Sequence, residues 1–593
     1  QYPAAIAKTQ TVALTLTKIP DSGNWPVSSG VALPQGQVFE TANLRLLNAA
    51  NQPVAAQKKV LARWHDGSLK WVLFSFLAPA GQEKYQLQYG ASIRDENNAL
   101  LASQNAGGAI AVDTGVLRWS ATPEKSGAYQ ISLAQNGRDL LGNAQLFITD
   151  DKGKTFSSAV KPDAVEIESN GAQHAVAIVR GALGAANSKD TFFRYILRWH
   201  FYRNSPVARV QVTLENDNKA SNFSEVKSAV LRFELPSNSA QVKLAEVGDF
   251  NASPNQAVSV AQYYDDAFTA QTPQGEKSGA RFPGWLQWQN GAQKLTLAVR
   301  DFWQLYPKAL AVRGDTLEIG LAPPVTAAQY AKFKGTVEEY RSVFYLMNGT
   351  YKLRLGTSFT TEIALNAGGG DGAQFMEYTN NPPLLVASPE YYRDSKAFGD
   401  IGLGDEFPLV QSYNEKTASA FANYLADRDK LHEYGLMNFG DWWGERAINW
   451  GNVEYDTPHA FILQFARTGD VDFYRAAVAA ETHNRDIDTV HHAAVSPGEH
   501  FSIGGGHYPA SAAAVGRVWE HSVGHTGGYF TKNPVTGATA LFAPSGMIES
   551  VFSSSHTWTE GHYERYFLTG DTRSLQTANS IADVYDFYGT INY

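Results

Sequence analysis

Two short stretches decide the fold: FARTGDVDFYRAAV at residues 465–478 and YFLTGDTRSLQTA at residues 566–578. Each places a Thr-Gly-Asp turn between two runs whose apolar residues recur at the helical period. Gly469 and Gly570 are typical residues for the end of a helix, and Asp470 and Asp571 for the start of the next one. A helix–turn–helix unit that occurs twice favours hairpins stacked side by side, as in an α/α toroid.

The helical period extends over much of the chain after residue 410. It predicts helices over 416–434, 455–467, 471–483, 556–568 and 572–588. A closed toroid needs about a dozen helices. The last predicted helix also carries an aromatic face that has to be buried against another element. We therefore expect a toroid that is incomplete at the C-terminus and that a further polypeptide segment completes.

Before residue 385 the periodicity is that of strands. Residues 11–17 and 208–214 alternate apolar and polar side chains, and Asp-Gly or Asn-Gly pairs at 66, 136, 290 and 348 predict tight turns. The fold class we predict is multidomain, an all-β half followed by an all-α toroid. Its domains are a β-barrel over 1–90, one large β-sandwich over 91–385 and the catalytic, partial toroid over 386–593.

Composition excludes several classes of function. The 593 residues include 49 basic and 58 acidic side chains, for a net charge of −9, and no cysteine. A mildly acidic chain argues against nucleic acid and anionic membranes as partners, and no apolar run is long enough for membrane insertion. Without cysteine, disulfides and thiolate metal sites are excluded. This composition suits an exported bacterial protein, and we expect a secreted or periplasmic location.

Ionisable residues concentrate between 440 and 565. Nine of the 14 histidines lie between 483 and 562, among glycine-rich connections such as 504–508 and 521–529. Glycine permits close approach of backbone to a ligand, and connecting loops often carry sites. The loop 438–446 adds aromatic, carboxylate and guanidinium groups, so we expect these side chains to converge in one cavity.

Three chemistries fit this set of residue types. β-Elimination from a uronic acid needs a cation or amide for the carboxylate, a base for the C5 proton and an acid for the leaving oxygen. Glycoside hydrolysis needs a carboxylate pair. Two of the residues Asp441, Glu445, Glu454, Asp456 and Glu560 could form this carboxylate pair. A histidine-based metal site is the third chemistry. Trp442 and Trp443 fit a sugar platform or the core equally well.

Several segments resemble a known family. LARWHDGSLKW at 61–71 resembles the N-terminal RIFT-type barrel of exolytic rhamnogalacturonan lyases, polysaccharide lyase family 26, and their bacterial relatives. VRDFWQLYPK at 299–308 is similar to their central β-sandwich. Four further segments are similar to their α/α toroid: 455–459, 485–492, 523–529 and 555–561. The resemblance implies a lyase that splits the rhamnose–galacturonate bond from a chain end and leaves an unsaturated uronide.

Within this resemblance we assign roles as hypotheses. Arg446 or Arg485 would bind the carboxylate with help from Asn452. Tyr508 or His492 would be the base, and His525 or His556 the acid. The expected substrate contacts are Trp442, Trp443, Glu445, His491, His507, Tyr529 and Glu560. In galacturonate, H5 and O4 lie on opposite ring faces, so base and acid should be different groups.

Other functions remain as alternatives. A lyase for another uronic-acid polysaccharide would share the site, a glycoside hydrolase would use a carboxylate pair, and a non-catalytic glycan-binding protein would need only the aromatic platform. An acidic polysaccharide is the expected partner. No cofactor is expected to be required, and a structural or charge-neutralising metal ion stays open.

Overall fold

The computed structural model describes most of the chain. The described residues are 4–94, 100–105, 107–404, 406, 408–444, 449–493, 500–503, 506–509, 515–519, 521, 525–530 and 556–591, the backbone alone being described for 500–503, 506–509 and 587–591. Among them, no helix has the length and apolar character that crossing a membrane requires.

The first six strands form a small β-barrel. They are β1 (Gln10–Leu16), β2 (Asn24–Ala32), β3 (Leu44–Asn48), β4 (Gln57–Arg63), β5 (Leu69–Pro79) and β6 (Lys84–Tyr89). All their pairings are antiparallel, in the orders β1-β6-β3 and β2-β5-β4. The hairpin β4–β5 turns at Asp66-Gly67, as predicted, because Gly67 has a φ of 86° and Ser68 donates its backbone N–H to Asp66 at 2.9 Å.

The next 22 strands form the large β-sandwich in one network of antiparallel ladders. They are β7 (Ala102–Gln104), β8 (Ile110–Asp113), β9 (Leu117–Pro123), β10 (Tyr129–Gln135), β11 (Arg138–Asp150), β12 (Thr155–Ser157), β13 (Ala164–Asn170), β14 (His174–Ala185), β15 (Thr191–Tyr202), β16 (Val207–Glu215), β17 (Phe223–Glu234), β18 (Ala240–Leu244), β19 (Gly248–Ala252), β20 (Val258–Tyr264), β21 (Ala267–Thr272), β22 (Gly275–Gly279), β23 (Trp285–Asn290), β24 (Gln293–Val299), β25 (Lys308–Arg313), β26 (Thr316–Ala322), β27 (Tyr351–Arg354) and β28 (Ser358–Asn366). Trp119, Trp199 and Trp288 are fully buried in its core.

Helices occur within the sandwich connections and then dominate the C-terminal part. They are α1 (Ala327–Tyr330), α2 (Val337–Arg341), α3 (Gly372–Asn380), α4 (Pro389–Ser395), α5 (Pro408–Lys430), α6 (Thr457–Thr468), α7 (Val471–His483), α8 (Glu560–Thr569) and α9 (Thr572–Ile591). Strand β29 (Leu385–Val386) pairs with β1, and β30 (His500–Ile503) pairs with β31 (Gly506–Pro509). A π-helical turn, Asn484–Asp488, extends α7.

The predicted fold class is confirmed: a β-rich half precedes a helical C-terminal region. Both Thr-Gly-Asp turns form as expected, since Gly469 and Gly570 end α6 and α8 with φ values of 75° and 73°. Asp470 caps α7 through the N–H of Asp472. The predicted starts at 416 and 556 are displaced, because the helices there begin at Pro408 and Glu560.

The barrel and the helical part share one hydrophobic core, which fixes their relative position. Trp71 of β5, Phe465 of α6 and Leu568 of α8 belong to the same buried cluster. The backbones approach closely at Gly30 of β2, where an added Cβ would lie 1.7 Å from the carbonyl oxygen of Phe567. Only glycine permits this contact, which brings the end of α8 against the barrel.

Candidate active site

A cleft opens between the barrel, the sandwich and the helical part, with about 1300 Å³ of empty space that includes open solvent. Its floor is the outer face of the sandwich sheet, and strand β15 shows how the sequence builds it. Trp199 and Phe201 point into the sandwich core, whereas Arg198, His200 and Tyr202 line the cleft. Successive strand residues face opposite sides, so one strand supplies both the core and the site.

Neighbouring strands extend this polar floor in register. Arg209 of β16 lies directly across from His200, and His174 of β14 lies across from Tyr202. Glu362 of β28 continues the row on the far side of β16. The sheet therefore places cations, imidazoles and a carboxylate side by side over four adjacent strands.

The helical part forms one wall of the cleft. Tyr474 of α7 and Arg565 of α8 line it together with Asp571 of the second Thr-Gly-Asp turn. The Tyr474 hydroxyl accepts a hydrogen bond of 2.6 Å from Arg565, which leaves the phenolic proton available for donation. Burial raises the pKa of Tyr474, so the phenol stays protonated at neutral pH.

The barrel forms a further wall of the cleft. Lys59 of β4 and Trp25 of β2 line the cleft from this side. Trp25 is half-buried and packs on Tyr378 of α3, with 4.3 Å between the ring centroids. An aromatic surface beside cations is the arrangement that a sugar ring with a carboxylate requires.

Cations outnumber carboxylates among the described cleft residues. The cations are Lys59, Arg198, Arg209, Arg300 and Arg565, and the carboxylates are Glu168, Glu362 and Asp571. Arg198 binds Glu168 through two hydrogen bonds of 3.0 Å, and Arg209 Nη1 lies 3.4 Å from Glu362. The surplus of positive charge favours an anionic ligand.

Two carboxylates of the cleft, Glu362 and Asp571, are held in their ionised form. Burial acts to raise the pKa of Glu362, but Arg209 and Arg300 outweigh it and hold the pKa below its usual value. Burial likewise opposes ionisation of Asp571, yet Arg485 and Arg565 lower its pKa to about 2. Neither carboxyl group is a proton donor at neutral pH.

The two imidazoles on the floor are neutral. Burial first, and then the nearby Arg209 and Lys59, lower the pKa of His174 to about 3. The same causes, burial first and then Arg209, hold the pKa of His200 well below its ordinary value. His174 Nε2 lies 3.2 Å from His200 Nδ1, and the buried His200 Nε2 has no hydrogen-bond partner among the described residues.

A second cavity of about 540 Å³ continues the cleft towards α7. It shares Arg300, Glu362 and Arg565 with the cleft and adds Arg485, a predicted carboxylate partner. Arg485 is buried, and its guanidinium lies 2.9 Å from Asp486 and also contacts Asp571 and Glu481. Its charge is already compensated, because a buried guanidinium without carboxylates would be costly.

Two other predicted residues lie in a separate buried centre. His525 is 1% exposed and lies near Asp441 and Asp488. Asn452 donates hydrogen bonds to Asp488 Oδ1 at 2.9 Å and to the Trp519 carbonyl at 2.7 Å. The structure thus brings these two together, but away from the cleft.

His556 lies beside this centre, on a small cavity of about 310 Å³ that Asn452 and Trp558 also line. Its Nδ1 is 2.7 Å from Glu454, which also lies 3.0 Å from His521 Nδ1. Two groups of side chains are therefore close enough to hold a metal ion: Asp441 with His483 and His525, and Glu454 with His521 and His556.

His491 and His492 lie in a third place. His491 Nε2 donates to the Arg485 carbonyl at 2.6 Å, and its Nδ1 accepts from Arg573 at 3.2 Å. His492 Nε2 contacts Glu215 at 2.8 Å. The described histidines therefore do not share the single cavity that we expected, because buried imidazoles and carboxylates have paired locally.

The remaining predicted substrate contacts are divided between core and surface. Trp442 and Trp443 are half-buried, and Trp443 packs on Trp450 with 5.5 Å between ring centroids. Tyr529 is buried and donates its hydroxyl to the Lys352 carbonyl. Glu560 is exposed at the start of α8. Four predicted groups lie outside the described part of the structure: Glu445, Arg446 and the side chains of His507 and Tyr508.

Sequence reasoning missed the cleft residues of the sandwich. The signal was present in Arg198-Trp199-His200-Phe201-Tyr202, where aromatic core residues alternate with arginine, histidine and tyrosine. An outward strand face that carries these residues, instead of threonine or lysine, suggests that the face is covered and functional. The sequence did not show which elements cover it.

Comparisons with known proteins agree with the observed order of domains. The PcRGLX-like N-terminal RIFT barrel domain matches residues 12–90, the central beta sandwich domain matches residues 101–242, and the C-terminal alpha/alpha toroid domain matches residues 382–507. Together these matches span more than half of the chain. The chain belongs to the PcRGLX-like family, which confirms the resemblance noted in the sequence.

A relative in Bacillus subtilis (strain 168), the uncharacterized protein YetA, is 23% identical over an alignment covering 82% of this chain and 66% of YetA. The chain thus spans slightly less than two thirds of that relative. Two solved structures from Enterococcus faecalis are similar, a protein in glycosyl hydrolase family 38 and an alpha-mannosidase. The glycosyl hydrolase family 38 protein is 10% identical, and the match covers 67% of this chain and 48% of that protein with a TM-score of 0.36. The alpha-mannosidase is also 10% identical, and the match covers 66% of this chain and 45% of that enzyme with a TM-score of 0.32.

Proposed function

We propose that this protein is a carbohydrate-active enzyme, a polysaccharide lyase that cleaves a uronic-acid glycan by β-elimination. The observation that carries the proposal is the cleft of about 1300 Å³, in which five cations, a neutral histidine pair and aromatic side chains face one another. We further propose rhamnogalacturonan as the acidic polysaccharide, exolytic attack on its rhamnose–galacturonate bond, and a secreted or periplasmic location. Membership of the PcRGLX-like family supports this substrate.

Elimination fits the cleft better than hydrolysis. A glycosidase needs one carboxyl group whose raised pKa keeps it protonated. In the described cleft, Glu168 is bound to Arg198, and the pKa values of Glu362 and Asp571 are lowered. These groups cannot supply the general acid, whereas elimination uses the cations and imidazoles that are present.

In the proposed reaction, Arg209, Arg300 and Lys59 bind the uronate carboxylate. Neutralising the acid group in this way acidifies the proton on C5. The carboxylate also offsets the cation that depresses the pKa of His200, which makes the imidazole a stronger base as the substrate binds. Binding and base activation are therefore coupled through Arg209.

The proton transfers then proceed from two different walls. His200 Nε2 takes the C5 proton from the side of the sheet, and Tyr474 donates its proton to the leaving O4 from the side of α7. The C4–O4 bond breaks, its electron pair leaves with O4, and the C5–H electron pair forms the C4=C5 double bond. Groups on different walls suit galacturonate, in which H5 and O4 lie on opposite ring faces.

The test uses a panel of uronic-acid polysaccharides with rhamnogalacturonan among them. We expect ultraviolet-absorbing unsaturated products, released as small units from the chain end. Lys59→Met should lower kcat/KM at least about tenfold, since a charged contact is lost. Lys58→Met on the same strand is the matched control, because Lys58 instead donates to the Leu44 carbonyl. Absence of unsaturated product from every polysaccharide, or equal activity of both variants, would contradict the proposal.

A further inference from the structure

Four chain segments bring side chains to one buried centre behind the helical part. Asp441 follows the turn at 435–440, His483 is the last residue of α7, Asp488 ends the π-helical turn, and His525 lies in the turn 525–528. Their side chains are between 0% and 1% exposed. Because so many ionisable groups are costly to bury together, their arrangement needs a compensating partner.

The facing atoms lie farther apart than in an ordinary hydrogen bond of about 2.7–3.2 Å. His483 Nε2 lies 3.4 Å from Asp488 Oδ1 and 3.8 Å from Asp441 Oδ2. His525 Nδ1 lies 3.6 Å from the same Asp441 oxygen and 3.8 Å from the same Asp488 oxygen. Nitrogen and oxygen ligands about 2.0–2.2 Å from a tetrahedral metal ion are about 3.3–3.6 Å apart, so these separations are close to those of a coordination shell.

The hydrogen bonds around His525 fix which ring nitrogen carries the proton. The Asn438 side-chain nitrogen donates to the carbonyls of Ser342 and Tyr434, at 3.0 and 3.2 Å, so its amide oxygen is the acceptor. His525 Nε2, 3.0 Å from that oxygen, must therefore donate. In the neutral ring, the Nδ1 lone pair then points at two carboxylate oxygens, an arrangement that a cation between them would stabilise.

The unpartnered atoms of the centre point to the same ligand. Among the described residues, His525 Nδ1 and both ring nitrogens of His483 have no hydrogen-bond partner. Both carboxylates are oriented by other groups: Asp441 accepts from the backbone of Asn452 and Val453, and Asp488 accepts from the Asn452 side chain. Oriented carboxylates around unpartnered imidazoles are typical of a metal site with its supporting shell.

We propose that Asp441, His483 and His525 bind one divalent transition-metal ion beside Asp488, with Zn²⁺ as the ion that two imidazoles and a carboxylate suit best. Asp441, His483 and His525 already place their ligand atoms within 4.8 Å of one another. Two carboxylates balance the charge of the ion. Three buried protein ligands tie α7 to the flanking loops, so the ion has a structural role.

The neighbouring Glu454 group differs from this centre. Glu454 Oε2 lies 2.7 Å from His556 Nδ1, and its Oε1 accepts a hydrogen bond of 2.7 Å from the backbone N–H of His521. Those contacts satisfy Glu454 without an ion. The metal site is also independent of the proposed elimination, because neither Asp441, His483, Asp488 nor His525 lines the cleft.

The full chain, purified without chelators, provides the first test. We expect elemental analysis to find about one equivalent of Zn²⁺ or another first-row divalent metal. After removal of the ion with a chelator, titration with ZnCl₂ should restore one site per chain and raise the thermal midpoint. Less than about a tenth of an equivalent, together with no heat and no thermal shift on adding Zn²⁺, Mn²⁺, Co²⁺ or Ni²⁺, would overturn the proposal.

Variants then test which residues bind the ion. His525→Ala should lose the metal, whereas His432→Ala should keep it, since His432 belongs to a similar His–Asp pair, 3.0 Å from Asp265, outside the centre. Retention of a full equivalent by folded His525→Ala would overturn the assignment. If His525→Ala does not fold, the wild-type titration still decides whether the ion binds. Lyase assays of the chelated protein separate a failed metal site from a failed cleft proposal.

Discussion

Replacing Arg209 with glutamine tests how the cleft couples binding to base strength. Arg209 Nη1 lies 3.4 Å from Glu362 Oε1, within reach of a carboxylate in the cleft. Loss of one charged hydrogen bond costs about 1.5–3 kcal/mol, or about 10- to 150-fold in kcat/KM. The variant also removes one cause of the low pKa values of His174 and His200.

The loss of activity in Arg209→Gln should also depend on pH. With Arg209 absent, burial still lowers the pKa of His200, the proposed base, but that pKa rises from its present position well below the ordinary value. An imidazole base works only when neutral, so the acid limb of the pH–rate profile should move to higher pH. The loss of activity should therefore be larger at low pH than at high pH.

The assay is the initial rate of unsaturated-product formation across the pH range. Arg232→Gln is the control, because Arg232 forms a similar ion pair with Glu318 at 2.7 Å, on β17 and outside the cleft. It should retain the rate and profile of the unmodified protein. If the pH–rate profile of Arg209→Gln is lowered by less than about threefold and its acid limb does not move to higher pH, the coupling of substrate binding to base strength is refuted.

Two further predictions concern stability. Asp571→Asn should cost about 2–3 kcal/mol at neutral pH in urea unfolding, because it removes one of the carboxylates that compensate the buried guanidiniums of Arg485 and Arg565. Since the pKa of Asp571 is lowered to about 2, this difference should be present above about pH 4 and shrink below it. Asp470→Asn, in the exposed twin turn, should change stability little; equal losses would contradict the burial argument. Gly30→Ala should lower the free energy of unfolding by at least about 1–3 kcal/mol, because the added methyl group would meet the carbonyl oxygen of Phe567. Gly107→Ala, at an exposed position, should leave the stability unchanged. An unchanged stability of Gly30→Ala would contradict the close contact with Phe567.

Local features of the fold were predictable from the sequence. The Thr-Gly-Asp turns combine a residue that tolerates positive φ with one that caps a helix, and both effects act within a few residues. The Asp66-Gly67 hairpin is local in the same sense. Even so, the sequence did not indicate that Asp571 would also contribute its carboxylate to the cleft.

The candidate site was less predictable because its parts are distant in the chain. Lys59, His200 and Arg565 come from the barrel, the sandwich and the helical part, and only the packing of all three brings them to one cleft. The density of histidine after residue 483 indicated a site in that region. Much of it instead reflects buried pairs such as His562 with Glu481, at 2.8 Å.

The central claim is that the cleft eliminates rather than hydrolyses, and the origin of the product oxygen tests this most directly. Rhamnogalacturonan is digested in water enriched in the heavy isotope oxygen-18, and the masses of the products are measured by mass spectrometry. Elimination adds no water to the cleaved bond, so we predict unsaturated products without the heavy isotope. Saturated products that carry heavy oxygen at the new chain end would contradict the account.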